Sequence, residues 1–133
     1  MSLHTQVIRG TVCVGSSRGK NLGFPTANLR VDDETAADLA SGVYAARVGW
    51  EESPQYSAVV NVGYRPTFEE GVFSFEVHVL DFTGNLYGKQ LDVTLVARIR
   101  DEMQFERVES LVDQITRDII QTRNWMAENE VHT

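Results

Sequence analysis

Thr26 and Asn28 stand two residues apart directly after Pro25. Proline biases the preceding Phe24 away from the helical region and keeps the chain extended, and on an extended segment residues 26 and 28 share one face. A hydroxyl and an amide oxygen are hard ligands suited to Mg²⁺, which keeps several waters and takes its other oxygens from substrate phosphates. The same two side chains would serve equally well to stabilise a turn. Just upstream, Gly15-Ser-Ser-Arg-Gly-Lys-Asn-Leu-Gly23 supplies glycines and basic residues that could bring backbone amides and positive charge to phosphates. It is not a P-loop: Gly15 and Gly19 are one residue too close, Asn21 follows Lys20 where Ser or Thr is required, and Pro25 prevents a long helix. A plain surface loop is the other reading of this stretch.

Glu76 is the second candidate. In the run Val72 to Leu80, Phe73, Phe75, Val77 and Val79 fall on one face of a strand and Ser74, Glu76 and His78 on the other. A carboxylate beside a histidine could accept a proton from an attacking hydroxyl; an outward glutamate and a hydrogen-bonded histidine are also ordinary strand residues. Asn61-Val-Gly-Tyr-Arg-Pro-Thr67 reads as a turn after a strand, with Phe68 available to cover an apolar pocket, and no catalytic role follows from it.

The elements that must position these side chains are mostly strands. Period-two patterning marks runs near residues 6–14, 43–49, 56–62, 72–80 and 91–99, separated by Gly, Pro, Asn and Asp clusters. Thr83-Gly84-Asn85 supplies a reversal between the last two runs. Val108, Leu111, Val112, Ile115 and Ile119 then recur at helical spacing, with Asp113 and Arg117 as an i,i+4 pair on the outer face, so one amphipathic helix is expected over about 107–125. Five or six short antiparallel strands leave exposed edges unless the sheet closes, and one helix covers only one face. A small closed antiparallel β-barrel with a C-terminal helix meets both demands. No repeat, linker or low-complexity tract divides the 133 residues, so a single domain over 1–133 is expected.

The net charge of −7 argues against binding nucleic acid or anionic membrane through overall charge. All of it lies in residues 67–133, which carry six basic and thirteen acidic side chains; before Asp32 only Arg9, Arg18, Lys20 and Arg30 are charged. A small polyanion therefore finds its best local potential near the N-terminal segment. Cys13 is the only cysteine, which excludes an intrachain disulfide and a multi-cysteine zinc site, and its neighbours Val12 and Val14 suggest a small core residue. No stretch has the length of a signal peptide's apolar region or of a membrane span, so the expected location is the cytoplasm.

Several fragments together resemble the riboflavin kinase family: Gly10-Thr-Val, Gly19-Lys-Asn-Leu-Gly-Phe-Pro-Thr-Ala-Asn-Leu29, Gly42-Val-Tyr-Ala45, Asn61-Val-Gly-Tyr-Arg-Pro-Thr-Phe68, Phe75-Glu-Val-His78, Leu80-Asp-Phe82, Leu86-Tyr-Gly88, and Ile99-Arg-Asp-Glu102 with Phe105. They run in order from about residue 8 to residue 120. The resemblance implies a six-stranded Greek-key-like barrel that transfers the γ-phosphoryl group of ATP to the 5′-hydroxyl of riboflavin, giving FMN and ADP. It further implies Thr26 and Asn28 as Mg²⁺ ligands, Gly15, Lys20, Thr26, Val79 and Tyr87 near the nucleotide, Glu76 as the base, and Arg100, Met103 and Phe105 around the flavin. Members typically carry Arg where Lys20 stands and often another residue at 103; Lys keeps the charge but lacks the planar fork. An enzyme of this type is expected to work as a monomer, without nucleic acid or membrane. No His-x-Gly-His pattern can be built from His4, His78 and His132, so FMN adenylylation is not expected of this chain. Two other readings stand beside it: a noncatalytic flavin- or nucleotide-binding barrel, which would bind without turnover, and an oligonucleotide-binding small barrel, which the acidic charge and 9% aromatic content disfavour.

Overall fold

The computed structural model describes residues 6–13, 23–65 and 72–129. Six strands, β1 (Gln6–Cys13), β2 (Ala27–Arg30), β3 (Gly42–Gly49), β4 (Tyr56–Arg65), β5 (Val72–Val79) and β6 (Gln90–Arg100), pair antiparallel in a closed barrel of order β1-β2-β5-β4-β3-β6. Closure leaves no strand edge unpaired, as the patterning required. A short helix, α1 (Asp33–Ala37), bridges β2 and β3, its first turn capped by Asp32, whose Oδ1 accepts from the Thr35 N–H at 2.8 Å. The terminal helix α2 (Val108–Glu128) lies outside the barrel against β3, β4 and β6.

Alternation divides each strand's residues between an interior and an exterior. Ile8 and Val12 from β1, Leu29 from β2, Tyr44, Ala46 and Val48 from β3, Ala58, Val60 and Val62 from β4, Phe75, Val77 and Val79 from β5, and Leu91, Val93 and Leu95 from β6 fill the barrel. Trp50, stacked on Tyr56 at 5.2 Å and met edge-on by Phe82 at 5.1 Å, closes one end. Residues of opposite parity face outward, and Val43 and Ala45 are nevertheless buried because α2 lies near that wall. Gly10 permits a close crossing: a Cβ there would sit 2.4 Å from the Arg30 carbonyl oxygen of β2.

Three expectations need correction. Cys13 is half-buried and lies opposite Asn28 rather than in the core. Val108 is 53% exposed; the inward stripe of α2 is Leu111, Ile115, Asp118 and Thr122, two of them polar, and the helix runs to Glu128. The alternation of β6 also does not hold to its end. Its register with β3 shifts between Val43 and Tyr44 and again between Ala45 and Ala46, so Arg100 pairs with Val43 where an unbroken ladder would have brought Arg98. At the far end of α2 the Arg123 guanidinium donates to both oxygens of Asp81 at 2.9 and 3.1 Å and holds that carboxyl below the usual range, in an exposed pair that adds little to stability. No helix among the described residues is long and apolar enough to cross a membrane.

Candidate functional site

The outward side chains of β3, β4 and β5 face α2 and the segment 101–105 across a cleft of about 750 Å³, within the range of small-molecule sites. Its floor comes from the barrel wall: Thr26, Val43, Val59, Asn61, Tyr64, Glu76 and His78. Its far side comes from Glu102, Met103, Gln104 and Phe105 after β6 and from Leu111, Ile115 and Asp118 of α2. One transverse row of the barrel organises it. Asn28 pairs with Glu76, Glu76 with Asn61, Asn61 with Val43, and Val43 with Arg100, so five residues from five strands lie side by side across the wall.

At one end of this row the Thr26 hydroxyl donates to Glu76 Oε1 at 3.4 Å. Thr26 thus presents its hydroxyl to the Glu76 carboxylate, and Asn28 is the direct cross-strand neighbour of Glu76. Among the described residues no cluster of three or more His, Cys, Asp or Glu gathers. Two neutral oxygens at Thr26 and Asn28, completed by the phosphates of a nucleotide, would be a donor set that fits Mg²⁺.

His78 shares the face of Glu76 as expected, but its Nδ1 meets the Pro25 carbonyl at 2.7 Å and its ring stands edge-on to Phe24, with centroids 6.0 Å apart. That bond fixes the Nδ1–H tautomer and ties β5 to the segment carrying Thr26. At the other end of the row Arg100 is forked onto α2: Nε and the second terminal nitrogen donate to the two carboxylate oxygens of Asp118 at 2.8 and 2.7 Å, and the first donates to the Asp101 carbonyl at 2.9 Å. Gln114 adds a bond to Asp118 at 3.0 Å. The Asp118 side chain is only 3% exposed, so the pair is sheltered on the helix side while the Arg100 side chain keeps 16% exposure along the cleft. Gly63 leaves room for the Glu102 carboxylate, which a Cβ there would meet at 2.6 Å.

Thr26, Glu76, Arg100, Met103 and Phe105 therefore line one cleft, and Asn28 adjoins it. Val79 and Tyr87 do not. The Val79 side chain packs into the barrel core, and Tyr87 is 63% exposed on the β5–β6 connection, where its N–H is held by Asn85 Oδ1 at 2.8 Å. Gly15 and Lys20 lie outside the described residues. The residue pattern alone does not single out Asn61, Gln114 or Asp118, although the polar side chains at 118 and 122 on the stripe begun by Leu111 and Ile115 carry a legible signal.

A family model described as riboflavin kinase matches residues 3–126. The bifunctional riboflavin kinase/FMN adenylyltransferase of Haemophilus influenzae is 36% identical over 112 residues, covering 84% of this chain and 36% of that protein. The bifunctional protein of the same description from Escherichia coli K12 is 37% identical over 123 residues, covering 92% and 38% respectively. This chain thus spans little more than a third of the length of these relatives. Riboflavin kinase from Trypanosoma brucei superposes with a TM-score of 0.71 at 25% identity, over 98% of this chain and 85% of the other. A Streptococcus pneumoniae protein described as a macrolide-efflux protein superposes with a TM-score of 0.81 at 38% identity, over 91% of this chain and 39% of that one.

Proposed function

The chain belongs to the riboflavin kinase family, and from that premise we propose that it is itself a riboflavin kinase, moving the γ-phosphoryl group of ATP onto the terminal ribityl hydroxyl of riboflavin. One observation carries the proposal: in a single row of the barrel wall the Glu76 carboxylate stands between Asn28, with Thr26 beside it, on one side and Asn61, Val43 and Arg100 on the other. Phosphate chemistry has its place on one side of the carboxylate and a flat, largely apolar substrate has its place on the other.

In this arrangement Glu76 orients the terminal hydroxyl and accepts its proton as the hydroxyl oxygen bonds to the γ-phosphorus and the bond to the β,γ-bridging oxygen breaks, releasing ADP. Thr26, whose hydroxyl donates to Glu76, and Asn28 would hold Mg²⁺, which would supply positive charge to neutralise that developing on the phosphates. Lys20, and backbone amides around Gly15, supply further positive potential to the nucleotide. Val79 and Tyr87 lie away from the flavin side, and their proposed contact is with the nucleotide. Arg100, Met103 and Phe105 form the flavin side, with Arg100 placed by Asp118 and Gln114. Residues 1–133 act as one catalytic unit, and all proposed groups come from one chain, so a monomer in the cytoplasm suffices and neither nucleic acid nor membrane takes part.

The test is direct. Purified protein incubated with riboflavin, ATP and Mg²⁺, with each omitted in turn, is expected to yield FMN only when all three are present, as resolved by chromatography. Flavin binding without product under any nucleotide or metal would support the noncatalytic barrel instead. Thr26→Ala and Asn28→Ala are each expected to raise the Mg²⁺ concentration needed for half-maximal rate at least several-fold at fixed ATP. An unchanged Mg²⁺ titration would remove both from the metal site.

A further inference from the structure

Asn61 occupies the centre of the transverse row, and its side chain is unfinished. It lines the cleft, yet its Oδ1 is buried and has no hydrogen-bond partner among the described residues. Buried polar atoms are rarely left this way, because the lost hydration is not replaced by another bond. Its strand neighbours Val60 and Val62 are fully buried in the core, so the position itself is rigid. A packing role would be filled better by an aliphatic side chain, as at Val59 and Val43 on the same wall.

Resting on the kinase reading above, we propose that Asn61 is a substrate-positioning residue that hydrogen-bonds a secondary hydroxyl of the ribityl chain and thereby sets the chain's register against Glu76. Three observations converge on this partner. Asn61 and Glu76 are direct cross-strand neighbours on the cleft face, and such pairs have Cβ atoms about 5 Å apart. A terminal hydroxyl at Glu76 therefore brings hydroxyls on the next carbons within reach of Asn61. On the other side of Asn61 the row becomes apolar at Val43 before reaching Arg100, which suits the ring system rather than the polyol. The chemistry also matches whichever way the amide is turned. A hydroxyl both donates and accepts, so it satisfies an oxygen or an NH₂ at the buried position, whereas a ring carbonyl or ring N–H satisfies only one of them.

The experiment compares Asn61→Leu and Asn61→Ala with the unmodified chain, reading thermal stability and equilibrium binding of riboflavin and of lumiflavin, which carries a methyl group in place of the ribityl chain. Riboflavin binding is expected to weaken about tenfold in both variants, the loss of one hydrogen bond, while lumiflavin binding stays unchanged. The melting temperature of Asn61→Leu is expected to hold or rise, because an unsatisfied buried polar atom has been removed. A structural role would lower it. Equal losses on riboflavin and lumiflavin, or an unchanged preference for riboflavin over lumiflavin, would overturn the assignment while leaving the kinase reading intact. If the unmodified chain neither bound flavin nor formed FMN, the kinase reading would fall first and this proposal with it.

Discussion

Glu76→Gln is expected to lower turnover by roughly 10² to 10⁴-fold, the usual contribution of a positioned general base. The argument is geometric. Glutamine keeps the length and planarity of the side chain and can still meet the Thr26 hydroxyl, 3.4 Å from Oε1 in the native site, but an amide oxygen does not take up the proton of the attacking hydroxyl. Binding of riboflavin and of Mg-nucleotide is expected to stay within a few-fold of native, so the loss falls on kcat with KM little changed, the signature of an interaction made in the transition state. Equilibrium flavin binding alongside single-turnover FMN formation separates the two. Full single-turnover activity would take Glu76 out of the mechanism, and a matching loss of flavin affinity would make it a binding residue. Because β5 is paired on both sides and Phe75 and Val77 anchor it in the core, the substitution should leave the melting temperature almost unmoved.

What could be read before the structure follows from which forces act locally. Strands β1, β4, β5 and β6 bury one face each, and that burial writes a period of two into the sequence; β3 buries its outer face as well at Val43 and Ala45 and reads as a nearly continuous apolar run. Strand β2 has four residues, Ala27-Asn-Leu-Arg30, too few for a pattern; it is a strand because β1 and β5 flank it and close the barrel through it. The common face of Thr26 and Asn28 was nonetheless legible, since Pro25 takes Phe24 out of the helical region and disfavours a helix there, and so was the common face of Glu76 and His78. The placement of Arg100 was legible only through the family resemblance, not from the strand pattern. Alternation along Leu91 to Ile99 puts Arg98 and Arg100 on the same outward face and gives no reason to prefer either; the two register shifts against β3 decide that Arg100 joins the row of Asn61 and Glu76. Bulges arise from pairing across strands, and that pairing is not local in the sequence. Asp118 is a related case: its place on the stripe of Leu111 and Ile115 marks it as inward, but the cation it serves comes from a strand distant in the sequence, and nothing local announces that partner.

That cation makes Asp118→Ala the most disruptive substitution on the proposed flavin side. It would strand the Arg100 guanidinium, which now spends two of its donors on the two oxygens of a carboxylate that is almost wholly buried. Breaking a buried pair by removing one partner costs about 3–5 kcal/mol; the 16% exposure of Arg100 admits some water and points to the lower end. A fall in melting temperature of roughly 10 °C is expected for a chain of this size, and an unchanged value would mean that the pair is already well solvated. The loss of stability alone does not reveal what the pair is for, because replacing both partners with apolar residues of similar volume is often neutral. The double variant Arg100→Met with Asp118→Leu separates the two roles. Its melting temperature should return most of the way to native, since no charge is left unpaired beside Leu111 and Ile115, whereas riboflavin affinity should stay at least tenfold below native if the guanidinium is held by α2 in order to meet the flavin. Recovery of both would make the pair a strut between β6 and the helix. Recovery of stability alone would show that the helix is fastened to the barrel through Arg100 because the cleft needs that side chain in one orientation.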